Sequence, residues 1–585
     1  MPRPKEHQKP GAFVRQRGFQ IFILLSFCFF LFILGVGRWD LWNPDEPRYA
    51  QVAKEMVGTG DWILMHVNGN TYLDKPPLFF WLIALSSFLW QGFTSFSARF
   101  PSAFLSTLTV LLTFFLGKKL YGSRTGFLSA LILATSFEFA YLSTRANIDA
   151  TLTFFTTTSV FFFLHWYQRC KAEGGADKDK GTLSIYGFYI GMGLATLTKG
   201  PVGFILPLLV SLVYLLLLRD WKAMKRMRLF TGMILFVVIV LSWYLPAVLK
   251  GGQDFLNQTL IHQTLERFAK GTSHVRPPYY YLSNFPVDFL PWFLFLPGAL
   301  VYGLSRKGGG FSRDFLFLLV WFAAIFLFFS FSKGKRAVYL LPLYPAASLM
   351  VGRFWDDYLS SSDPFPVRKI WVTLPVYLLI IVLLFIGMLL YAVPVVANFS
   401  AGHSTPKVMK MMISGAELGA KYLSYVPRSS IIPFIILLVG SGILLSLAQG
   451  LKHKLFVFIL IVATAGIGFF YTTRVIFPLV NPYKSARFLS QEIVETMKTG
   501  GKLVIYGDSG SAGTAQFNFY TGIVPILETE DEQEMIALFR SKEKTFSLVN
   551  YEDYEILIRK FPDLSLNLIT RGSVGSRNVV FVSNR

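Results

Sequence analysis

Leu78-Phe-Phe-Trp-Leu-Ile-Ala-Leu-Ser-Ser-Phe-Leu-Trp-Gln-Gly-Phe93 is the segment on which the orientation of this chain turns. It is apolar enough to be one more span across about 30 Å of hydrocarbon, so parity decides its reading. If it crosses, the basic residues Lys118, Lys119 and Arg124, and then the runs at 219–228 and 306–313, all fall outside. That inverts the excess of Lys and Arg that cytoplasmic loops carry. If it lies along the interface, with Trp81 and Trp90 at the headgroups, those loops and 169–180 become cytoplasmic. The second reading agrees with the charge pattern, so 78–93 is expected to be an interfacial helix.

Outward from there, apolar runs of spanning length recur near residues 19–37, 97–117, 125–143, 150–167, 183–198, 202–218, 229–249, 286–304, 314–332, 337–352, 370–396, 430–448 and 455–472. The chain therefore reads as an all-α polytopic membrane domain of about thirteen transmembrane helices. With 53% hydrophobic residues and 15% charged ones over 585 positions, lipid must cover much of the apolar surface. The net charge of +22 comes from Lys and Arg set in short segments between apolar runs, which marks topology and not a nucleic-acid face. No nucleic acid is expected as a partner. Two cysteines, Cys28 in an apolar run and Cys170 in a basic loop, support neither a disulfide framework nor a cysteine metal site. The first apolar run follows a basic leader but lacks a small-residue cleavage site, so it is expected to be the first helix rather than a signal peptide.

This orientation gathers five polar segments outside: 38–77, 144–149, 199–201, 250–285 and 332–336. From about residue 481 the hydropathy falls and strand-like runs appear, Lys502-Leu-Val-Ile-Tyr506 and Val579-Val-Phe-Val582. The expected organisation is a basic cytoplasmic segment, 1–18, then a membrane domain, 19–480, with outer loops 38–96 and 250–285. A small soluble α/β domain, 481–585, follows on the outer side.

The outer segments hold the candidate chemistry. Asp45 and Glu46 begin an amphipathic helix, where they either cap it and complement its dipole or form a carboxylate pair with one member a general base. Lys75, ahead of Pro76-Pro77, either snorkels to the headgroups or grips a lipid phosphate. Asp149 sits at the mouth of a span, and Lys199 in the hairpin Thr198-Lys199-Gly200-Pro201. Lys333, Lys335 and Arg336 share a tight turn on the side where the positive-inside rule disfavours cations, so an anion is expected there. Acids and bases converging at an outer interface suit displacement at an anomeric carbon with a lipid phosphate as leaving group. Cations stabilise the departing phosphate, and a carboxylate orients or deprotonates the nucleophile.

In their order along the chain, Asp45-Glu46-Pro-Arg48-Tyr49, Lys75-Pro-Pro, Arg145-Ala-Asn-Ile-Asp149, Thr198-Lys199-Gly-Pro, Arg267-Phe, His274-x-Arg-Pro and Lys333-x-Lys-Arg-x-x-Tyr339-Leu-Leu-Pro resemble the aminoarabinose lipid A transferase family. That family lies in the protein O-mannosyltransferase-like branch of the glycosyltransferase C superfamily. The resemblance implies an inverting transferase of the bacterial inner membrane that uses an undecaprenyl-phosphate sugar as donor and lipid A, or another extracytoplasmic acceptor, on the periplasmic side. Carried over residue by residue, it makes Asp45 the principal catalytic carboxylate and Asp149 a second acid, while Lys75, Arg267 and Tyr339 hold the carrier phosphate. Arg48, Tyr49 and Lys199 line the site, and Lys333 and Arg336 join the anion-binding set. No organic cofactor is implied. A divalent metal stays open, with Asp74 and His262 as candidate ligands, because the family's usual Glu before the lysine is Asp74 here and its histidine is displaced to His262.

Two other readings compete. One is a related transferase acting on a protein hydroxyl or surface glycan; the other is a transporter or flippase, which would carry charges near the bilayer midplane and often repeated halves. A nucleotide-sugar enzyme has for support just Asp177-Lys-Asp179, in a short charged loop.

Overall fold

Thr94 follows the short 78–89 helix and starts the first long helix. Its Oγ1 accepts from the Ser97 N–H at 3.1 Å, while Ser97 Oγ accepts from the Thr94 N–H at 2.8 Å, a reciprocal capping box. The computed structural model describes residues 17–172, 182–259, 275–305, 312–361, 369–400, 425–507, 510–564, 566–575 and 577–585. The predicted site residues Arg267 and His262, with His274 and Asp177-Lys-Asp179, lie outside them.

Helices are numbered in chain order. α1 (Arg17–Cys28) precedes α2 (Asp45–Thr59), α3 (Leu78–Leu89), α4 (Ser95–Tyr121), α5 (Ser123–Ala134), α6 (Phe137–Ser143), α7 (Ile148–Ala172) and α8 (Thr182–Lys199). α3 is 12 residues, about 18 Å at 1.5 Å per residue, too short to span. Among the described residues, seven helices are long and apolar enough to cross a membrane, or up to nine if each of two bent pairs is one span. Three shorter apolar helices accompany them, Arg17–Ile33, Leu78–Leu89 and Val202–Leu217. The expected runs at 150–167 and 183–198 fall in α7 and α8, which lie inside the bundle. Thr151, Thr153, Thr156, Thr157 and Ser159 of α7 are buried, and a Cβ on Gly191 of α8 would stand 2.9 Å from that of Ser159. Small polar residues let the two backbones approach, and they lower hydropathy where lipid is not the neighbour.

Two runs expected to be single spans are broken. The run 125–143 bends by 70° between α5 and α6, and 286–304 by 109° between Tyr280–Asp288 and Trp292–Leu304. Pro291, without an N–H, interrupts the second. At the first, Thr135 and Ser136 return their hydroxyls to the Leu131 and Ile132 carbonyls at 2.6 and 2.8 Å. The bends are joined by the Phe137 N–H to the Leu290 carbonyl at 3.0 Å and by Trp292 Nε1–H to Thr135 Oγ1 at 2.9 Å. Backbone groups freed by the breaks thus find partners inside the protein, as a low-dielectric setting requires.

Beyond the bundle, β3 (Lys502–Tyr506), β4 (Leu527–Thr529), β5 (Thr545–Asn550), β6 (Asn567–Val574) and β7 (Arg577–Ser583) form a sheet ordered β4-β3-β5-β7-β6, following the short hairpin of β1 (His66–Val67) and β2 (Asn70–Thr71). β3 is parallel to both neighbours, and β7 is antiparallel to β5 and β6. Both strand-like runs read in the sequence lie in this sheet. The β1–β2 hairpin turns at Asn68-Gly69, both at positive φ (54° and 76°), the primed turn that Asn-Gly favours. It is also the latch to the sheet. Asn68 Nδ2 donates to the Ile526 carbonyl at 2.8 Å, and its Oδ1 accepts from the Ile526 N–H at 2.6 Å and Asn518 Nδ2 at 3.0 Å. A second latch joins Asn481 Nδ2 to Asp40 Oδ2 at 2.8 Å and the Leu41 N–H to the Tyr520 hydroxyl at 2.7 Å.

Candidate active site

α2 begins with two carboxylates that face different environments, because successive helical residues point about 100° apart. Glu46 is fully buried. Its Oε1 accepts from Arg99 Nε at 2.7 Å and the Ala146 N–H at 2.8 Å. Its Oε2 accepts from Arg99 Nη2 at 2.9 Å and the Trp42 N–H at 3.0 Å, with Arg145 Nη2 at 2.9 Å. Burial opposes its ionisation, but Arg145, Arg99 and these donors overcome that and hold the carboxyl below the usual range. Arg99, itself wholly buried, also donates to the carbonyls of Val36, Trp39 and Asp40 at 2.6–2.9 Å. The node ties α2, α4 and the Arg145–Asp149 turn together.

Asp45 keeps 15% of its side-chain surface open. Arg48, one turn on, reaches its Oδ1 at 2.8 Å, and Arg336 reaches Oδ2 at 2.7 Å. Burial again works against ionisation, yet Arg336 and Arg48, with Lys75 adding to them, hold the carboxyl low. The turn that delivers Arg336 is built by its neighbour: the buried Lys335 donates Nζ–H to the carbonyls of Arg276, at 3.1 Å, and Ser332. Lys333 is exposed and meets the loop through its carbonyl, which accepts from the Arg276 N–H at 3.3 Å. Of the three cations in this turn, Arg336 is the one bonded to Asp45.

Asp149 lies in the first turn of α7, with its N–H on Asn147 Oδ1 at 2.7 Å, and forms an ion pair with Lys199, the last residue of α8. Helix ends suit this pair, an acid where the dipole is positive and a base where it is negative. Lys199 Nζ stands 4.1 Å from the ring centroid of Tyr339. Tyr49 is buried with its ring edge-on to Phe79 and Phe80, at 5.6 and 5.8 Å, and the Arg48 guanidinium lies 5.5 Å from its centroid. Lys75 Nζ donates to the Asp74 carbonyl at 3.1 Å. The Asp74 carboxylate stands 3.7 Å from Arg48.

That last contact bears on a metal. Asp74 has a guanidinium as neighbour, and among the described residues no group of three or more His, Cys, Asp or Glu side chains is placed to hold an ion. The described side chains therefore do not make up a donor set.

The structure thus brings Asp45, Arg48, Tyr49, Asp74, Lys75, Asp149, Lys199, Arg336 and Tyr339 into one region and gives Glu46 to the buried node behind them. Arg99 was missed by the sequence reading, although an arginine inside an otherwise apolar helix is itself a signal. Glu138 of α6 was missed as well; buried, it lies in the field of Asp288, Asp149 and Arg336.

Residues 19–261 match the family model described as dolichyl-phosphate-mannose-protein mannosyltransferase. An uncharacterized protein of Aquifex aeolicus is 32% identical over 341 residues, 58% of this chain and 64% of that one. The undecaprenyl phosphate-alpha-4-amino-4-deoxy-L-arabinose arabinosyl transferase of Aeromonas hydrophila is 32% identical over 333 residues, 56% of this chain and 59% of its own. The matches thus span less than two thirds of these curated relatives. Over nearly its full length the chain superposes on ArnT from Cupriavidus metallidurans, solved bound to undecaprenyl phosphate, with a TM-score of 0.76, 21% identity and coverage of 97% of this chain and 99% of that one. The chain therefore has the fold of that ArnT structure, and its similarity to the dolichyl-phosphate-mannose-protein mannosyltransferase family is carried by residues 19–261.

Proposed function

We propose that this integral membrane protein is an inverting glycosyltransferase that moves 4-amino-4-deoxy-L-arabinose from undecaprenyl phosphate to a phosphate of lipid A, on the periplasmic face of the bacterial inner membrane. The observation that carries this reading is Asp45 held ionised between Arg48 and Arg336, beside Lys75 and next to the Asp149–Lys199 pair. Four cations, Arg48, Lys75, Lys199 and Arg336, face three carboxylates, Asp45, Asp74 and Asp149, so the site has positive charge to spare for a phosphate. The relatives' printed names supply the sugar and the carrier.

In the step, the bond from the anomeric carbon to the carrier phosphate oxygen breaks while an acceptor oxygen forms the new bond from the opposite face. The electron pair leaves with undecaprenyl phosphate, and Arg48, Arg336 and Lys75 stabilise its growing charge. A phosphate acceptor is already anionic near neutral pH, so Asp45 has no proton to remove; it orients its two arginines. Tyr339 and Lys199 line the donor side, and Asp149 holds Lys199 in place. Arg267 completes the phosphate set by resemblance. Glu46 is a positioning residue rather than a catalytic one.

The two ends of α7 support the orientation. Asp149 at its start and Lys171 at its finish stand about 33 Å apart along the axis. Arg169 and Lys171 sit at the far end, with Lys118 and Lys119 of α4. We assign that basic end to the cytoplasm, the Asp45 end to the periplasm, and residues 481–585 to a periplasmic domain over the site. The test is transfer by purified enzyme in nanodiscs from undecaprenyl-phosphate aminoarabinose. Transfer to lipid A that Asp45→Asn abolishes is expected. Transfer to a peptide or glycan in its place would replace the acceptor, and transfer to none of them would remove the reading.

A further inference from the structure

α4 and α7 pack side by side and finish at the end of the bundle opposite Asp45. Each leaves a half-exposed stripe there, Leu111, Phe115 and Lys119 on α4, and Thr158, Phe161 and His165 on α7, at spacings that keep to one helix face. The stripes meet where Lys119 Nζ reaches His165 Nδ1 at 2.9 Å. An ammonium only donates, so Nδ1 accepts, the imidazole is neutral and its proton sits on Nε2. Arg169, one turn beyond His165, adds its charge to both residues. Arg17, at the start of α1, brings its guanidinium to 5.5 Å from the centre of the Phe115 ring, one turn from Lys119.

Other cations at this end are matched by acids. Arg124 stands 3.2 Å from Asp356, Lys171 2.5 Å from Asp220 and Arg353 2.7 Å from Asp357. Among the described residues no carboxylate is bonded to Lys119 or His165. Like charges gathered at the edge of hydrocarbon repel, and an anion between them offsets that repulsion. The free polar atoms of Lys119 and His165 are all donors, which suits a phosphate. A headgroup that carries an ammonium would bring one more cation to the cluster. One turn nearer the bilayer centre, Phe115 and Phe161 lie partly buried against the core. Donors at the interface above aromatic rings match a phosphate carried on acyl chains.

We propose that the groove between α4 and α7 binds one anionic phospholipid, with its phosphate on Lys119 Nζ and His165 Nε2–H and its acyl chains along Phe115 and Phe161. Arg169 and Arg17 flank the headgroup. The site is separate from the Asp45 centre, since Asp149 and His165 stand about 24 Å apart along α7. It needs the bilayer interface at this end of the bundle and no assignment of side.

Native mass spectrometry of the full chain tests this, with phosphatidylglycerol and phosphatidylcholine of the same acyl chains as probes. The wild type is expected to bind one phosphatidylglycerol about tenfold or more tightly than phosphatidylcholine. Lys119→Ala combined with His165→Ala should abolish that preference. Lys222→Ala, which removes an exposed cation from the same end, and Arg336→Ala, in the outer site, should retain it. If thermal unfolding shows that the double variant does not fold, Lys119→Gln carries the same readout. Equal affinity of the wild type for the two lipids overturns the proposal. So does an equal loss in Lys222→Ala, which would mean diffuse charge with no built site. Loss in Arg336→Ala with retention in the Lys119 variants moves the phosphate to the Asp45 centre and overturns it too. Displacement of phosphatidylglycerol by millimolar inorganic phosphate assigns the groove to a free anion and overturns the lipid. The readout is lipid binding, so a failed transferase assay leaves this result standing.

Discussion

Arg336 Nη2 lies 2.7 Å from Asp45 Oδ2 across 291 positions of chain, and this contact closes the site between the start of α2 and the turn before Tyr339. Because Arg336 keeps a third of its side-chain surface open, it has donors left for a phosphate while it holds the carboxylate. Asp45→Asn and Arg336→Ala should each lower kcat by about 100-fold or more, as expected for a group that acts on charge developing in the transition state. Membrane insertion should stay as in wild type. Full turnover in both variants would remove the pair from the mechanism.

The pH dependence has a defined sign. Burial alone would raise the Asp45 pKa, and Arg336, Arg48 and Lys75 bring it below the usual carboxylate value. A depressed pKa means that the ionised form, and the stability it brings, is present above the ordinary carboxylate pKa and is lost as pH falls through the folded value. Activity should therefore be independent of Asp45 protonation at neutral and mildly acidic pH. Arg336→Gln removes a lowering charge, so the acid limb of its kcat/KM profile should move to higher pH. An unmoved limb would show that Asp45 does not control it.

Glu46 is expected to matter for stability. Glu46→Ala leaves Arg99 and Arg145 without their shared anion in a buried setting, where breaking such a pair costs about 3–5 kcal/mol. Thermal unfolding in detergent should show a large drop for Glu46→Ala. Combining it with Arg99→Ala should cost far less than the sum of the two, since the residues act as one unit. Additive losses would contradict the node.

Lys75→Ala should weaken undecaprenyl phosphate binding by about tenfold, the effect of one charge-assisted contact of about 1.4 kcal/mol. Binding is measured with the free carrier lipid, so chemistry does not enter. Unchanged affinity would make Lys75 a headgroup anchor.

Asn68→Ala should loosen the soluble domain. It removes the three bonds to Ile526 and Asn518 and places alanine at φ 54°, a conformation Asn tolerates better. Hydrogen exchange should rise in β4 and at the end of the 510–521 helix while the membrane helices keep their protection.

Helical periodicity and apolar run length were local properties, and they were enough for the polytopic architecture, the short helix at 78–89 and the strands at 502–506 and 577–583. The breaks at Thr135 and Pro291 were not legible as bends, because a Pro or a Ser-Thr pair marks a weak point without saying where its freed groups will find partners. Asp45 and Glu46 were indistinguishable as neighbours in sequence. Tertiary contact separated them, by setting the wholly buried Arg99, 53 positions on, against Glu46 and the partly open Arg336 against Asp45. A carboxylate's work depends on the charges and the water within a few ångströms, and those come from distant parts of the chain that meet when the bundle closes.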